Sequence, residues 1–413
     1  MKRRDFLKSA LTLAALAPLT PLAAKAGADG DKSSDLLKGK GVVRRRWKDT
    51  ALTVPLLGFG MMRLPRLSDG SIDEKTASEM VDKALKCGLN HFDTAHMYHK
   101  GESEKFVGKV LSRYPRESFT LSSKMPWYAR TPEGVEKIFR EQLKRCKTPY
   151  FDFYLIHSLG KRNWATAQRL KTYEFLERMK KEGKIRHLGF SFHDKPEVLK
   201  EIVKAKKWDF ALIQVNALDW KNYRSKEQYE ILTENGIPAF VMEPLRGGSL
   251  VRLGKHAETI LKNSNKDASV ASWMFRYVGS LPNVLCIFSG MSRMEHLEEN
   301  IKTFTDFKPL TPEERTTLAL AIGSYEKCLA VPCTSCRYCL PCPAGVRIPA
   351  IFSIYNEYKL QGNRAEFLAK MKALPEGSGP EECVNCGKCM KHCPQHIKIP
   401  EELKKIREDF ARG

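Results

Sequence analysis

Asp93, Tyr98, Lys124 and His157 are the residue types that a proton transfer to a reacting oxygen requires. A tyrosine hydroxyl, with an ordinary pKa of about 10, is a poor acid at neutral pH. An ammonium beside it stabilises the phenolate, a carboxylate holds that ammonium, and an imidazole can orient a carbonyl. "FDTAHMYHKGESE" (92–104) supplies Asp93 and, five residues on, Tyr98; "LSSK" ends at Lys124 and "YLIH" at His157. Singly, Asp93 reads as a helix cap and His157 as a core histidine. Together the four suit protonation of the oxygen of a carbonyl that receives a hydride. A second chemistry lies near the C-terminus. "CTSCRYCLPCPAG" (333–345) and "CVNCGKCMKHCPQ" (383–395) hold eight of the twelve cysteines, and soft thiolates at such spacing are metal ligands rather than disulfide partners.

The elements that must position the first set follow from hydrophobic pattern. Short apolar, β-rich runs lie at 53–59, 89–95, 118–124, 151–157, 185–191, 210–216, 237–243 and 284–290, with helical patterns at 75–87, 132–146, 165–182, 195–206 and 224–235. Eight strand–helix units over this length predict an α/β fold of the (β/α)8 TIM barrel type. The alternative, an open doubly wound sheet, lacks a Gly-rich turn after the first strand. Residues 41–56 are expected to form a hairpin closing the barrel bottom. Asp93, Lys124, His157, Ser191, Gln214 and Glu243 all fall at C-terminal strand ends, where barrel enzymes place their chemistry. Trp127, Tyr128, Trp164 and Trp220 near these ends are candidates for an aromatic substrate pocket.

In the order and spacing of Asp93, Tyr98, Lys124 and His157, the segment 43–305 resembles the aldo-keto reductase family. The resemblance implies Tyr98 as general acid/base, Lys124 and Asp93 as the pair that tunes it, and His157 as the group orienting the carbonyl. It also implies a nicotinamide dinucleotide, NADP in preference to NAD. "GFSFH" and "LIQVN" match the family's contacts to the nicotinamide amide at Ser191 and Gln214. "FSGMSRMEHLEEN" (288–300) resembles the segment gripping the adenosine phosphates, through Gly290, Ser292, Arg293, Glu299 and Asn300, with Arg293 available to a 2′-phosphate. Three positions depart from the pattern: Phe192 stands where Asn is usual, Met242 where an aromatic stacks on the nicotinamide, and His296 where Gln or Arg is usual.

Residues 310–329 read as a capped linker helix starting at Thr311 and Pro312. Beyond it, Cys383, Cys386, Cys389 and Cys393 have the x2, x2, x3 spacing before proline that resembles bacterial-type 4Fe–4S ferredoxins, in which the fourth cysteine serves the other cluster. Cys333, Cys336, Cys339 and Cys342 are spaced x2, x2, x2 before Pro343, one residue short of that pattern. "AGVRIPAIF" and "QHIKIPEEL" repeat after the two prolines, so the tail is an internal duplication. Structural zinc is the alternative, but it favours paired knuckles over four cysteines in one run. Two 4Fe–4S clusters are expected. The scattered Cys87, Cys146, Cys286 and Cys328 read as buried small hydrophobes.

The expected organisation is a signal peptide at 1–26, a linker at 27–40, the barrel at 41–308, the linker helix at 309–330 and a ferredoxin-like domain at 331–413. Arg3-Arg4-Asp5-Phe6-Leu7-Lys8 resembles a twin-arginine signal, which implies export of the folded protein to the periplasm with its clusters already built. The formal charge is +22; the first 26 residues carry five basic side chains against one acidic, leaving +18 without them. Two oxidised clusters would bring that to about +14, a basic surface suited to acidic partners or anionic substrates. No basic run interleaved with aromatics suggests nucleic acid, and no mature segment reads as a membrane span. The partners expected are a small carbonyl or alcohol substrate and a redox protein; because hydride transfer moves two electrons and a cluster takes one, either a partner splits the pair or the clusters take no electrons from the nicotinamide. The competing expectation is an electron-transfer or docking subunit whose barrel no longer turns over, motivated by Phe192 and Met242.

Overall fold

The computed structural model describes residues 41–47 and 50–411. The proposed signal peptide and linker lie outside them. Two antiparallel strands come first, β1 (Arg44–Arg46) and β2 (Thr53–Pro55), and eight parallel strands follow. These are β3 (Leu57–Gly60), β4 (His91–Asp93), β5 (Thr120–Met125), β6 (Phe151–Leu159), β7 (Ile185–Phe192), β8 (Phe210–Gln214), β9 (Ala239–Met242) and β10 (Val284–Ser289). They close in sequence order, with β10 pairing β3, into the (β/α)8 barrel that the spacing predicts. The strands are buried on both faces because one face fills the barrel and the other packs under helices, and the buried polar residues among them, such as Asp93 and Lys124, belong to β4 and β5.

Two predicted elements each divide in two. The run at 53–59 is two strands, since the chain turns at Leu56 from the hairpin into the barrel wall. The helical pattern at 165–182 breaks into Lys161–Arg169 and Thr172–Lys181 at Lys171, whose φ of 53° leaves the helical region. Helix starts follow their caps: Asp73 Oδ1 accepts from Thr76 N, Thr131 Oγ1 from Gly134 N, and Thr311 with Glu314 forms a reciprocal capping box opening helix Pro312–Glu326.

The hairpin plugs the bottom of the barrel. Trp47 lies against Phe153, His187, Phe210 and Phe240, and the buried Arg45 guanidinium donates to the carbonyls of Leu281, Val284 and Gly279. Cys146 and Cys286 are buried as expected, whereas Cys87 and Cys328 are only half-buried.

The tail builds its own core from Val331, Val346, Ile351, Phe352, Phe367, Leu403 and Ile406. Its helices Ile348–Gln361 and Ile399–Ala411 begin at the Ile-Pro of each repeat, so the duplication in sequence is a duplication in structure. The tail is seated on the C-terminal mouth of the barrel. Arg63 Nη2 donates to Thr334 O at 3.1 Å and Arg246 Nη2 to Pro332 O at 3.0 Å. Gly247 lies so close to this seam that a Cβ there would stand 1.9 Å from Thr334 O, and its φ of 67° also favours glycine. No helix among the described residues is long and apolar enough to cross a membrane.

Candidate active site and iron–sulfur centre

Asp93 ends β4, Lys124 lies near the end of β5 and His157 near the end of β6, while Tyr98 stands on the short turn after β4. Lys124 Nζ donates to Asp93 Oδ2 at 2.6 Å and to Thr94 O at 2.7 Å, and sits 4.7 Å from the centre of the Tyr98 ring. The Tyr98 and His157 rings are 6.1 Å apart, nearly perpendicular. Behind them Gln142, on helix Pro132–Arg145, donates to Lys124 O at 3.1 Å and to the buried carboxylate of Glu104. That network fixes the β5 backbone and so the reach of the ammonium.

Burial pushes the Asp93 carboxyl up and the Lys124 ammonium down, and their 2.6 Å contact opposes both shifts. Burial also holds the His157 imidazolium well below the usual histidine range, with the charge of Lys124 adding to it, so the ring is neutral at pH 7. Tyr98 departs from expectation. Its phenol is held well above 10, by burial first and then by the carboxylates of Asp93 and Glu243, with Arg63 opposing. The Lys124 ammonium faces the ring, yet burial is the largest influence on the phenol. Tyr98 is therefore a neutral hydroxyl, poised to donate.

The four residues open onto a cavity of about 610 Å³. Every expected cofactor residue lines the same cavity: Ser191, Gln214, Gly290, Ser292, Arg293, Glu299 and Asn300. Ser292 Oγ donates to Arg63 O, Arg293 reaches His296, and Asn300 Nδ2 donates to Ser289 Oγ. Arg293 precedes helix Met294–Thr305, whose free N–H groups suit a phosphate. Phe192 is fully buried away from the cavity, whereas Met242 lines it. Buried Asp93 Oδ1, His157 Nδ1 and His193 Nδ1 have no hydrogen-bond partner, so polar groups line this space awaiting a ligand. The donor set fits a nicotinamide dinucleotide.

The tail also lines the cavity, through Thr334, Cys336, Tyr338, Pro394 and Gln395. Tyr338 stands 6.1 Å from Trp127, whose ring is 5.4 Å from His157. Of the other aromatics expected in a pocket, Trp164 packs on Trp208, Trp220 lies between Tyr229 and Tyr277, and Tyr128 is exposed beside His96. Arg63, His193, Tyr338 and Gln395 are site residues that the sequence reading missed. For Gln395 a signal existed: the matching position of the first repeat is Ala344, and the two repeats differ there in polarity.

The cysteines fall into two groups that cross between the runs. Cys333, Cys336, Cys339 and Cys393 line one small space together with Ile348, Phe352, Ile397 and Ile399. Cys342 lies in electrostatic range of Cys389, as does Cys383, and the exposed Cys386 belongs to the same run. The fourth cysteine of each run thus joins the other group, Cys393 after three intervening residues and Cys342 after two. All-thiol groups with apolar walls fit iron–sulfur clusters.

A model of the Aldo/keto reductase family matches residues 56–321, and one of the 4Fe-4S dicluster domain matches 332–397. An uncharacterized oxidoreductase of Bacillus subtilis, YqkF, is 26% identical over 302 residues, 66% of this chain and 94% of its own. The NADH-specific methylglyoxal reductase of Escherichia coli is 26% identical over 221 residues, 49% of this chain and 67% of its own. The holo form of an aldo-keto reductase from Bacillus halodurans superposes with a TM-score of 0.57 at 26% identity, covering 67% of this chain and 95% of its own. A Klebsiella pneumoniae aldo-keto reductase in complex with NADPH shares the fold at 21% identity and a TM-score of 0.52, over 64% of this chain and 90% of its own. Barrel, site and matched span agree: the chain belongs to the aldo/keto reductase family of oxidoreductases and ends in a 4Fe-4S domain.

Proposed function

We propose that the protein transfers hydride between NADP(H) and a small carbonyl or alcohol substrate, and that its C-terminal domain holds two 4Fe–4S clusters that exchange single electrons with a redox protein. The observation that carries the reading is the shared cavity, bordered by Tyr98, Lys124 and His157, by Arg293, and by Cys336. Bound nicotinamide supplies a hydride, and bound clusters supply single electrons. The neutral Tyr98 hydroxyl gives the proton to the substrate oxygen, and the neutral His157 ring orients that oxygen. Lys124, fixed by Asp93, stabilises the negative charge that develops there. Arg293 pairs with a 2′-phosphate, which favours NADP over NAD.

The group of Cys342, Cys383, Cys386 and Cys389 reaches the surface at Cys386. Cys386 is exposed, and so are Leu340, Val384 and Met390 beside them, which supports docking of a redox protein there. Export of the folded protein by the twin-arginine route, cofactors aboard, completes the reading. It is checked by fractionating cells that express the Arg3→Lys/Arg4→Lys variant, which should stay inside.

The principal test is Tyr98→Phe in anaerobically prepared protein with its clusters. Carbonyl reduction by NADPH should fall about 10²–10⁴-fold, with iron content and nucleotide affinity retained. An undiminished rate sinks the proposal. A second reading, an electron-transfer subunit with a silent barrel, gains support from Met242 and from the tail's hold on Gln214. It predicts no carbonyl turnover in the parent protein at all.

A further inference from the structure

Gln395 follows Cys393 by two residues and reaches from the tail into the barrel cavity. There it meets Gln214 in a reciprocal amide pair. Gln395 Nε2 donates to Gln214 Oε1 at 2.9 Å, and Gln214 Nε2 donates back to Gln395 Oε1 at 3.3 Å. A primary amide nitrogen has two hydrogens. The other on Gln214 goes to Asp219 Oδ2 at 2.7 Å, so both donors are engaged. Gln214 is fully buried, and a buried amide has to be satisfied whether or not a ligand is present. Asp219 in turn is held by Arg246 and by Asn216 Nδ2, which leaves Gln214 little freedom to turn elsewhere.

Glutamine and the nicotinamide ring carry the same functional group, a primary carboxamide. Resting on the nicotinamide reading above, we propose that Gln395 is an internal stand-in for the cofactor's carboxamide. The tail satisfies Gln214 while the amide end of the cavity is empty, and nicotinamide enters by displacing Gln395. The contact is confined to that end. The residues expected to grip the phosphates, Ser292, Arg293 and Asn300, bond to Arg63, His296 and Ser289 of the barrel. The segment that carries Gln395 is tied to both the barrel and the thiol group. Pro394 O accepts from Tyr223 at 3.3 Å, and Cys393 belongs to the thiol group that borders the cavity, so cofactor occupancy is felt at that group.

The test uses full-length protein with its clusters and two probes, NADP⁺ and 2′-phospho-ADP-ribose, which lacks the nicotinamide. In Gln395→Ala, calorimetry should show NADP⁺ binding on the order of tenfold tighter than in the parent, because the internal competitor is gone. Affinity for 2′-phospho-ADP-ribose should not change. Gln395→Leu keeps the side-chain bulk without its hydrogen bonds and should also tighten NADP⁺, and iron content verifies both variants. In the parent protein, NADP⁺ but not 2′-phospho-ADP-ribose should alter the EPR line shape of the reduced clusters. Unchanged or weaker NADP⁺ binding in both variants overturns the proposal, as does an equal gain for both probes. If neither probe binds any form, the nicotinamide reading itself fails and this inference with it.

Discussion

Arg246 and Asp219 form a buried ion pair, with the guanidinium Nε 3.1 Å from both carboxylate oxygens, beneath the seam between barrel and tail. The pair is a hub. Arg246 Nη2 holds Pro332 O at the start of the tail, and Asp219 holds Gln214, which holds Gln395 near the tail's second repeat. Both side chains are almost fully buried, at 3% and 1% exposure. Removing one partner leaves the other charge uncompensated, which typically costs about 3–5 kcal/mol.

Arg246→Met should therefore lower unfolding stability by about 3–5 kcal/mol in urea, and loosen the tail before the barrel unfolds. Limited proteolysis across residues 327–335 reads the second effect. The double variant Arg246→Met/Asp219→Asn should recover part of the stability loss but not the tail's attachment, because Pro332 O still lacks its donor. If the tail resists protease equally in all three proteins, the pair does not seat it.

Catalysis should depend on pH in opposite ways in the two directions. The Tyr98 phenol is held well above 10 by burial and by Asp93 and Glu243. It is thus protonated throughout pH 6–9, and carbonyl reduction should be flat in that range. Alcohol oxidation needs the phenolate and should rise with pH across the same range. Glu243→Gln removes one of the two carboxylates that disfavour the phenolate. It should move the rising limb of the oxidation profile toward lower pH while leaving reduction flat. A bell with a limb near 6.5 in the reductive direction would contradict a neutral His157.

The barrel was legible because most wall strands are short apolar, β-rich runs and the runs recur regularly. Its first strand was misjudged because Thr53–Pro55 and Leu57–Gly60 are equally β-rich, and only the turn at Leu56 separates their partners. The convergence of Asp93, Tyr98, Lys124 and His157 was legible because strand ends are countable. Gln395 and Tyr338 were not, since each lies more than 180 residues from the barrel groups it approaches, beyond the reach of periodicity. The one-residue shortfall before Cys342 has no counterpart before Cys393, which crosses between the repeats in the same way, and nothing in the structure explains it.

Acid should destabilise the barrel before its carboxylates titrate. His91 and His157 are buried and neutral, His91 pushed down to about 3 by burial and by nearby Arg44 and Lys124. In the unfolded chain both regain a pKa of about 6.5. The unfolded state then binds more protons below that pH, so stability present above 6.5 is lost as pH falls. Each ring contributes about 1.4 kcal/mol per pH unit once pH is well below 6.5. His91→Gln should cost stability at pH 8, where the hydrogen bonds to Ser122 and Thr120 are lost, yet reduce the steepness between pH 6.5 and 5. Urea unfolding at a series of pH values decides it, and an unchanged slope would mean His91 is already charged in the fold.

The crossed cysteine groups make a prediction that run-by-run ligation does not. If Cys333, Cys336, Cys339 and Cys393 hold one cluster, Cys393→Ala should damage that cluster, although the residue lies in the second run. Cys342→Ala should damage the other, through its loss to Cys383, Cys386 and Cys389. Each variant should lose about half of the EPR signal, and the two residual spectra should differ. Cys336 lines the barrel cavity and Cys386 is exposed, so the functional effects should also separate. Cys393→Ala should alter the binding of any ligand in the barrel mouth, because Gln395 is two residues away. Cys342→Ala should leave that binding unchanged and impair only electron exchange with an external one-electron acceptor. Were Cys393→Ala and Cys386→Ala to give the same residual spectrum, each run would be holding its own cluster, and the exchange between the repeats would be wrong.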